Sequence, residues 1–186
     1  NGCTTSAITT INEPSTAVSA IIDQTIESCF NQNNSEAIVT PSGGTGANYT
    51  YEWNNVPPST SVTAGSLSAQ NYSVVVTDGN GCQTTTDILI TELEDITANT
   101  IDVAPSCFGF MDGQLEVNLV NGGIGAGDLN NYNYMWSNAS TNQLNTNLSA
   151  GDYTLIIIDA QGCTNESIFT LSEPAEITAT ALIDDT

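Results

Sequence analysis

The chain has 186 residues, of which 21 are Asp or Glu and none is Lys, Arg or His, giving a formal net charge of −21 at pH 7. Without a cationic side chain, phosphate backbones and anionic lipid surfaces meet only repulsion, which excludes nucleic acid as a partner and attachment to a charged membrane face. No apolar run approaches the roughly 20 residues of a spanning helix, so no membrane insertion is expected.

In chain order, the first feature is a tripeptide. Asn1-Gly2-Cys3 returns as Asn80-Gly81-Cys82 and as Gln161-Gly162-Cys163, at intervals of about 80 residues. A second series, Cys29-Phe30 and Cys107-Phe108, and a third, Glu13-Pro14, Glu92-Leu93 and Glu173-Pro174, keep the same interval. A repeat of this length suits a small β-sandwich that buries its own core. The Glu-Pro marker divides the chain into residues 1–13, the last strand of a preceding repeat, complete repeats at 14–92 and 93–173, and residues 174–186, the first strand of a following one. The segment reads as an internal piece of a long array.

Within 14–92, the runs at Ala17 to Ile22, Glu36 to Thr40, Tyr49 to Trp53, Ser61 to Ala64, Tyr72 to Thr77 and Thr84 to Thr91 are rich in Thr, Val and Ile or alternate, and read as strands. No helical period competes with them. Tyr49-x-Tyr51-x-Trp53 and Tyr132-x-Tyr134-x-Trp136 place three aromatics on one face of a strand, and the expectation is that Trp53 and Trp136 are core rather than a sugar-stacking platform. Leu67 and Leu148 each stand five residues before a tyrosine, Tyr72 or Tyr153, that opens the strongest strand, the pattern of a tyrosine corner. Next come Asp78-Gly79-Asn80-Gly81 and Asp159-Ala160-Gln161-Gly162, read as hairpin turns. The fold class expected is all-β: tandem immunoglobulin-like β-sandwich repeats of about 80 residues, each with one internal disulfide.

The five cysteines fall into two series, an opening one (Cys29, Cys107) and a closing one (Cys3, Cys82, Cys163). Pairing inside each repeat joins Cys29 to Cys82 and Cys107 to Cys163, leaving Cys3 for a cysteine of a preceding segment. Each such bridge would close about 55 residues, worth roughly 4 kcal/mol in the chain-entropy model, and implies an oxidising compartment. A zinc site is excluded, because there is no CxxC pair and no histidine. With neither histidine nor lysine, an enzyme is not expected, and no catalytic residue is assigned. Calcium is the one metal the chemistry favours, since carboxylates are the only charged groups. Its candidate ligands are Glu92, Glu94 and Asp95 at one junction and Glu173 and Glu176 at the equivalent one, weighed against solvated linker carboxylates. Calcium aside, no cofactor is expected.

Cys107-Phe108-Gly109-Phe110-Met111-Asp112-Gly113, the Gly122-Gly123 pair, Tyr132-Asn-Tyr134-Met-Trp136-Ser137, Leu148-Ser-Ala-Gly151-Asp-Tyr153 and Asp159-Ala-Gln-Gly162-Cys163 together resemble the SprB repeat of large surface adhesins in Bacteroidota. The first complete repeat departs from the pattern at Asn31 and Ser35, where the other has Gly109 and Gly113. The resemblance implies export through the type IX system, an extracellular, cell-surface location and, in some members, gliding motility. The function expected is a structural repeat segment of a secreted adhesin or extracellular fibre. Its partners would be neighbouring repeats, with surface polysaccharide or another cell-surface protein beyond them. The rivals are a carbohydrate-binding module array, which needs the aromatic face exposed, and a self-assembling filament or sheath subunit, in which Glu176 to Leu182 adds as a strand to another chain.

Overall fold

The computed structural model describes residues 2–9, 13–45 and 48–181. The chain divides into two compact units, Asn1–Glu92 and Leu93–Thr186. In the first, six strands follow one another: β1 (Ser19–Ile26), β2 (Ser35–Ser42), β3 (Thr50–Trp53), β4 (Thr63–Leu67), β5 (Asn71–Thr77) and β6 (Gln83–Leu89). They form two three-stranded antiparallel sheets, ordered β1-β2-β4 and β3-β5-β6. Third, fifth and sixth strands on one sheet and first, second and fourth on the other is the crossing pattern of an immunoglobulin-like sandwich.

Period-two burial explains why these segments are strands. Along β5, Tyr72, Val74 and Val76 point inward, and along β2, Ser35, Ala37 and Val39 do. Tyr72, Val74, Val76, Ala37 and Val39 meet Trp53, Ala64, Leu67 and Ile90 in one core, against which Tyr49 and Tyr51 pack. A turn of backbone at Ser66, with φ +57°, precedes Leu67 and shifts the β2–β4 register, so that Leu67 faces the core.

The second unit has the same strand order: β7 (Thr97–Val103), β8 (Gly113–Asn121), β9 (Asn133–Trp136), β10 (Leu144–Leu148), β11 (Gly151–Ile158) and β12 (Thr164–Leu171). Its sheets run β7-β8-β10 and β9-β11-β12. Leu115, Val117, Trp136, Leu148, Leu155, Ile157 and Leu171 are buried, and the Trp136 and Phe169 rings lie tilted with centroids 6.1 Å apart. Asn147, at φ +59°, makes the register shift that Ser66 makes in the first unit. Among the described residues there is no α-helix, and no helix long and apolar enough to cross a membrane.

The sequence reading and the structure differ at both ends. Residues 2–9 and 176–181 carry no strand, because no neighbouring strand pairs with their N–H and C=O groups; Leu182, the end of the second stretch, lies outside the described residues. The first strand is Ser19–Ile26 rather than Ala17 to Ile22, since its pairing with β2 continues past a bulge to Ile26 opposite Glu36.

Candidate functional site: the cysteine-bearing ends of the repeats

Each unit presents two structured ends, and every cysteine but Cys3 sits at one of them. At the closing end of the first unit, Asp78 is buried at the exit of β5. Its Oδ1 accepts the N–H groups of Asn80 (3.0 Å) and Cys82 (2.8 Å), and its Oδ2 accepts that of Thr45 (3.0 Å). One carboxylate thus ties the β5–β6 hairpin to the loop between β2 and β3. The bond from Thr45 and then those from Cys82 and Asn80 outweigh the effect of burial and hold the Asp78 carboxyl below the ordinary carboxylate range.

Asp159 repeats the arrangement in the second unit, accepting from Gln161 (2.9 Å), Cys163 (2.8 Å) and Ile124 (2.8 Å). The glycine pairs make room for it. Gly44 and Gly123 have φ +62° and +61°, and a Cβ there would stand 2.5 Å from Asp78 Oδ2 or 2.8 Å from Asp159 Oδ2. Gly43 and Gly122 also take positive φ, and their carbonyls accept the hydroxyls of Tyr49 (2.5 Å) and Tyr132 (2.6 Å). Burial, and then the Asp159 carboxylate, raise the Tyr132 phenol above its ordinary value. Sequence reading missed the aspartate; its signal was the recurrence of Asp78 as Asp159 at the repeat interval, immediately before each turn.

At the opening end, the cysteine begins a one-turn loop. The carbonyl of Cys29 accepts the Gln32 N–H (3.0 Å), and that of Cys107 accepts the Phe110 N–H (3.1 Å). Asn31 takes φ +53° where Gly109 takes +73°, so the substitution noted in the sequence preserves the turn, asparagine being among the residues that tolerate this region. Asn34 Oδ1 accepts from Ser28 Oγ (2.7 Å) and Cys29 N–H (3.1 Å). Asp112, in the equivalent place, accepts from Ser106 Oγ (2.6 Å) and Ser106 N–H (2.9 Å), which hold its carboxyl low.

The junction glutamates have a role here. Glu92 Oε2 accepts the Asn31 N–H (3.0 Å), and Glu173 Oε2 accepts the Gly109 N–H (2.7 Å), so this marker, recurring in both units, pins the cysteine loop to the exit of the last strand. Asp95 Oδ1 accepts from Asn165 Nδ2 (3.3 Å), while Glu94 and Glu176 are exposed. Among the described residues no three carboxylate or cysteine groups gather as metal donors, so these five calcium candidates are not brought together as a donor set.

The disulfide assignment needs correction. Cys29 and Cys163 are the oxidised cysteines, whereas Cys3, Cys82 and Cys107 are free and exposed. The pairings Cys29 to Cys82 and Cys107 to Cys163 therefore do not form, and neither unit has an internal disulfide. The reason is the last strand. Cys82 precedes β6 and the Cys29 loop is held by Glu92 beyond it, so the seven residues of β6 separate the two cysteines by about 20 Å, against the roughly 7 Å limit between bridged Cα atoms. The eight residues of β12 separate Cys163 from the Cys107 loop, pinned by Glu173, in the same way. Pairing within a repeat would need the hairpin exit and the opening loop at one end of the sandwich; they are at opposite ends.

The aromatic residues are core and corner. Trp53 and Trp136 are 1% and 2% exposed, and their Nε1–H groups donate to the carbonyls of Ser61 (2.9 Å) and Asn142 (3.0 Å). The Tyr72 hydroxyl accepts the Ser68 N–H (3.2 Å) and the Tyr153 hydroxyl donates to the Ser149 carbonyl (3.0 Å), each four residues upstream. Both are tyrosine corners.

A cysteine loop after the first strand, a glycine pair and a Tyr-x-Tyr-x-Trp strand thus stand in this order in the first unit. Residues 22–58 match the family model of the SprB repeat. The match runs from β1 through the Cys29 loop and β2 to the end of β3 and the residues just beyond. No curated protein matches the chain. The SprB repeat is thus supported on the unit whose Cys29 loop departs most from the motif pattern, and the second unit has the same strand order.

Proposed function

We propose that this segment is a structural stalk region of a large secreted cell-surface adhesin, its work being reach and resistance to load. The observation that carries the reading is the SprB-repeat match on a self-contained sandwich whose cysteines sit at its two ends rather than across its middle. Terminal placement puts the cysteine chemistry at the two ends of each sandwich. No enzymatic activity is proposed. Export by the type IX route and a part in gliding belong to the same proposal.

A carbohydrate-binding array is disfavoured by the burial of Trp53 and Trp136, since the stacking face such a module needs is inside the core. The test is made on cells that express the parent protein. Antibody to this segment is expected to label intact, unpermeabilised cells, and deletion of the repeats is expected to lower attachment under flow. Labelling only after permeabilisation, or attachment under flow that is indifferent to the deletion, would retire the stalk reading.

A further inference from the structure

We propose that the bonds joining the end of β1 to the chain just beyond β6 form a mechanical clamp, loaded in shear, that sets the force at which the first unit opens. The clamp deepens the load-bearing reading above and rests on it for its purpose, though not for its measurement.

Strand direction decides how a pull is felt. β1 starts beside the β5–β6 hairpin, since Pro14, Ala17 and Val18 share one cleft with Asp78, Cys82 and Gln83. It runs toward the opening loop, where Ser28 makes a parallel bridge to Glu92. β6 likewise starts at the hairpin and runs toward Glu92, so the first and last strands of the unit point the same way. The chain therefore enters the unit at one end of the sandwich and leaves it at the other. A pull on the backbone at both sides drags β1 and the residues after β6 past each other along their own length. Cross-links in that geometry share the load and break together, whereas a strand peeled sideways loses its bonds one at a time.

A side chain builds the main cross-link. Gln24 follows Ala20 and Ile22 on the half-buried side of β1, the side that packs toward the core. Its Nε2–H donates to the Thr91 carbonyl (2.8 Å), and its Oε1 accepts the Thr91 N–H (3.1 Å). A carboxamide carries the donor and the acceptor of a peptide group, so Gln24 pairs with Thr91 as a neighbouring strand would. The Ser28–Glu92 bridge and the bond from the Asn31 N–H to Glu92 Oε2 (3.0 Å) extend the row. Counted back from the opening cysteine, Asp102 stands in the second unit where Gln24 stands in the first. An ionised carboxylate has no donor to offer a carbonyl, so Asp102 cannot make this two-sided pairing.

The test is single-molecule stretching of the 186-residue chain, held at its two ends with its cysteines reduced so that the load runs through the whole backbone. Gln24→Ala, checked for unchanged circular dichroism, is expected to speed one of the two opening steps by about tenfold at a given force, through the loss of two hydrogen bonds at the barrier, and to leave the other step unchanged. Tyr72→Phe removes the hydroxyl that accepts the Ser68 N–H at the tyrosine corner, away from the clamp. Urea unfolding is expected to register that loss, while opening under load stays within about twofold of the parent, because bonds still intact at the barrier do not alter the unfolding rate. Gln24→Ala that leaves both steps at the parent rate or speeds both alike would overturn the clamp, as would Tyr72→Phe that speeds opening as much as Gln24→Ala. Surface labelling of cells tests the stalk reading separately and is indifferent to either result.

Discussion

Asp78 and Asp159 each gather three backbone N–H groups from two loops that are distant in sequence. Asp159→Ala leaves those donors without an acceptor in a buried place, and urea unfolding of that variant is expected to show a loss of about 2 kcal/mol. The Asp78 carboxyl is held low in the folded chain, so its charged form contributes stability that is present above the unfolded value of about 4 and lost as pH falls toward the lowered one. The stability difference between the parent chain and Asp78→Asn is therefore expected to be full at neutral pH and to close in acid. A gap that stays constant below pH 4 would remove the charge from the explanation. Gly123→Ala tests the space beside Asp159: with φ +61° and a Cβ 2.8 Å from Oδ2, it is expected to cost about 2 kcal/mol in the same unfolding measurement.

At the scale of the element, one tryptophan per unit makes each sandwich separately visible. Trp53→Ala and Trp136→Ala each empty the centre of one core and are expected to destabilise that unit by roughly 3–5 kcal/mol. The fluorescence of the remaining tryptophan should report the other unit. If both units melted together in either variant, their cores would not be independent. The strands, the buried aromatic stripe and the tyrosine corners were legible because period-two alternation and short-range spacing act within one segment. The disulfides were not legible. Spacing in sequence counts the residues between Cys29 and Cys82, but only the direction of β6 tells which end of the sandwich each occupies. The roles of Glu92 and Glu173 were hidden for the same reason, since an acceptor for a loop N–H more than sixty residues away leaves no local pattern.

For the whole molecule, 21 carboxylates without one cation give a chain in which every charge pair is repulsive. Raising sodium chloride from about 0.01 M to about 1 M shortens the Debye length from about 30 Å to about 3 Å, and with no salt bridge to weaken, the thermal midpoint is expected to rise throughout. A midpoint that is flat or falls with salt would show that the carboxylates are already neutralised by another route. Trypsin, lacking a site, is expected to leave even the reduced and unfolded chain intact, whereas glutamyl endopeptidase digests it.

The sequence by itself determined the period, the all-β class and the buried aromatics, because each of these follows from recurring motifs or from neighbours a few residues apart. Tertiary structure alone decided which cysteines are oxidised, what Asp78 and the paired glycines do, and that the junction glutamates hold loops. Those outcomes depend on which strand ends meet in space, and strand direction over a whole sandwich is a property of the fold rather than of any local run of residues.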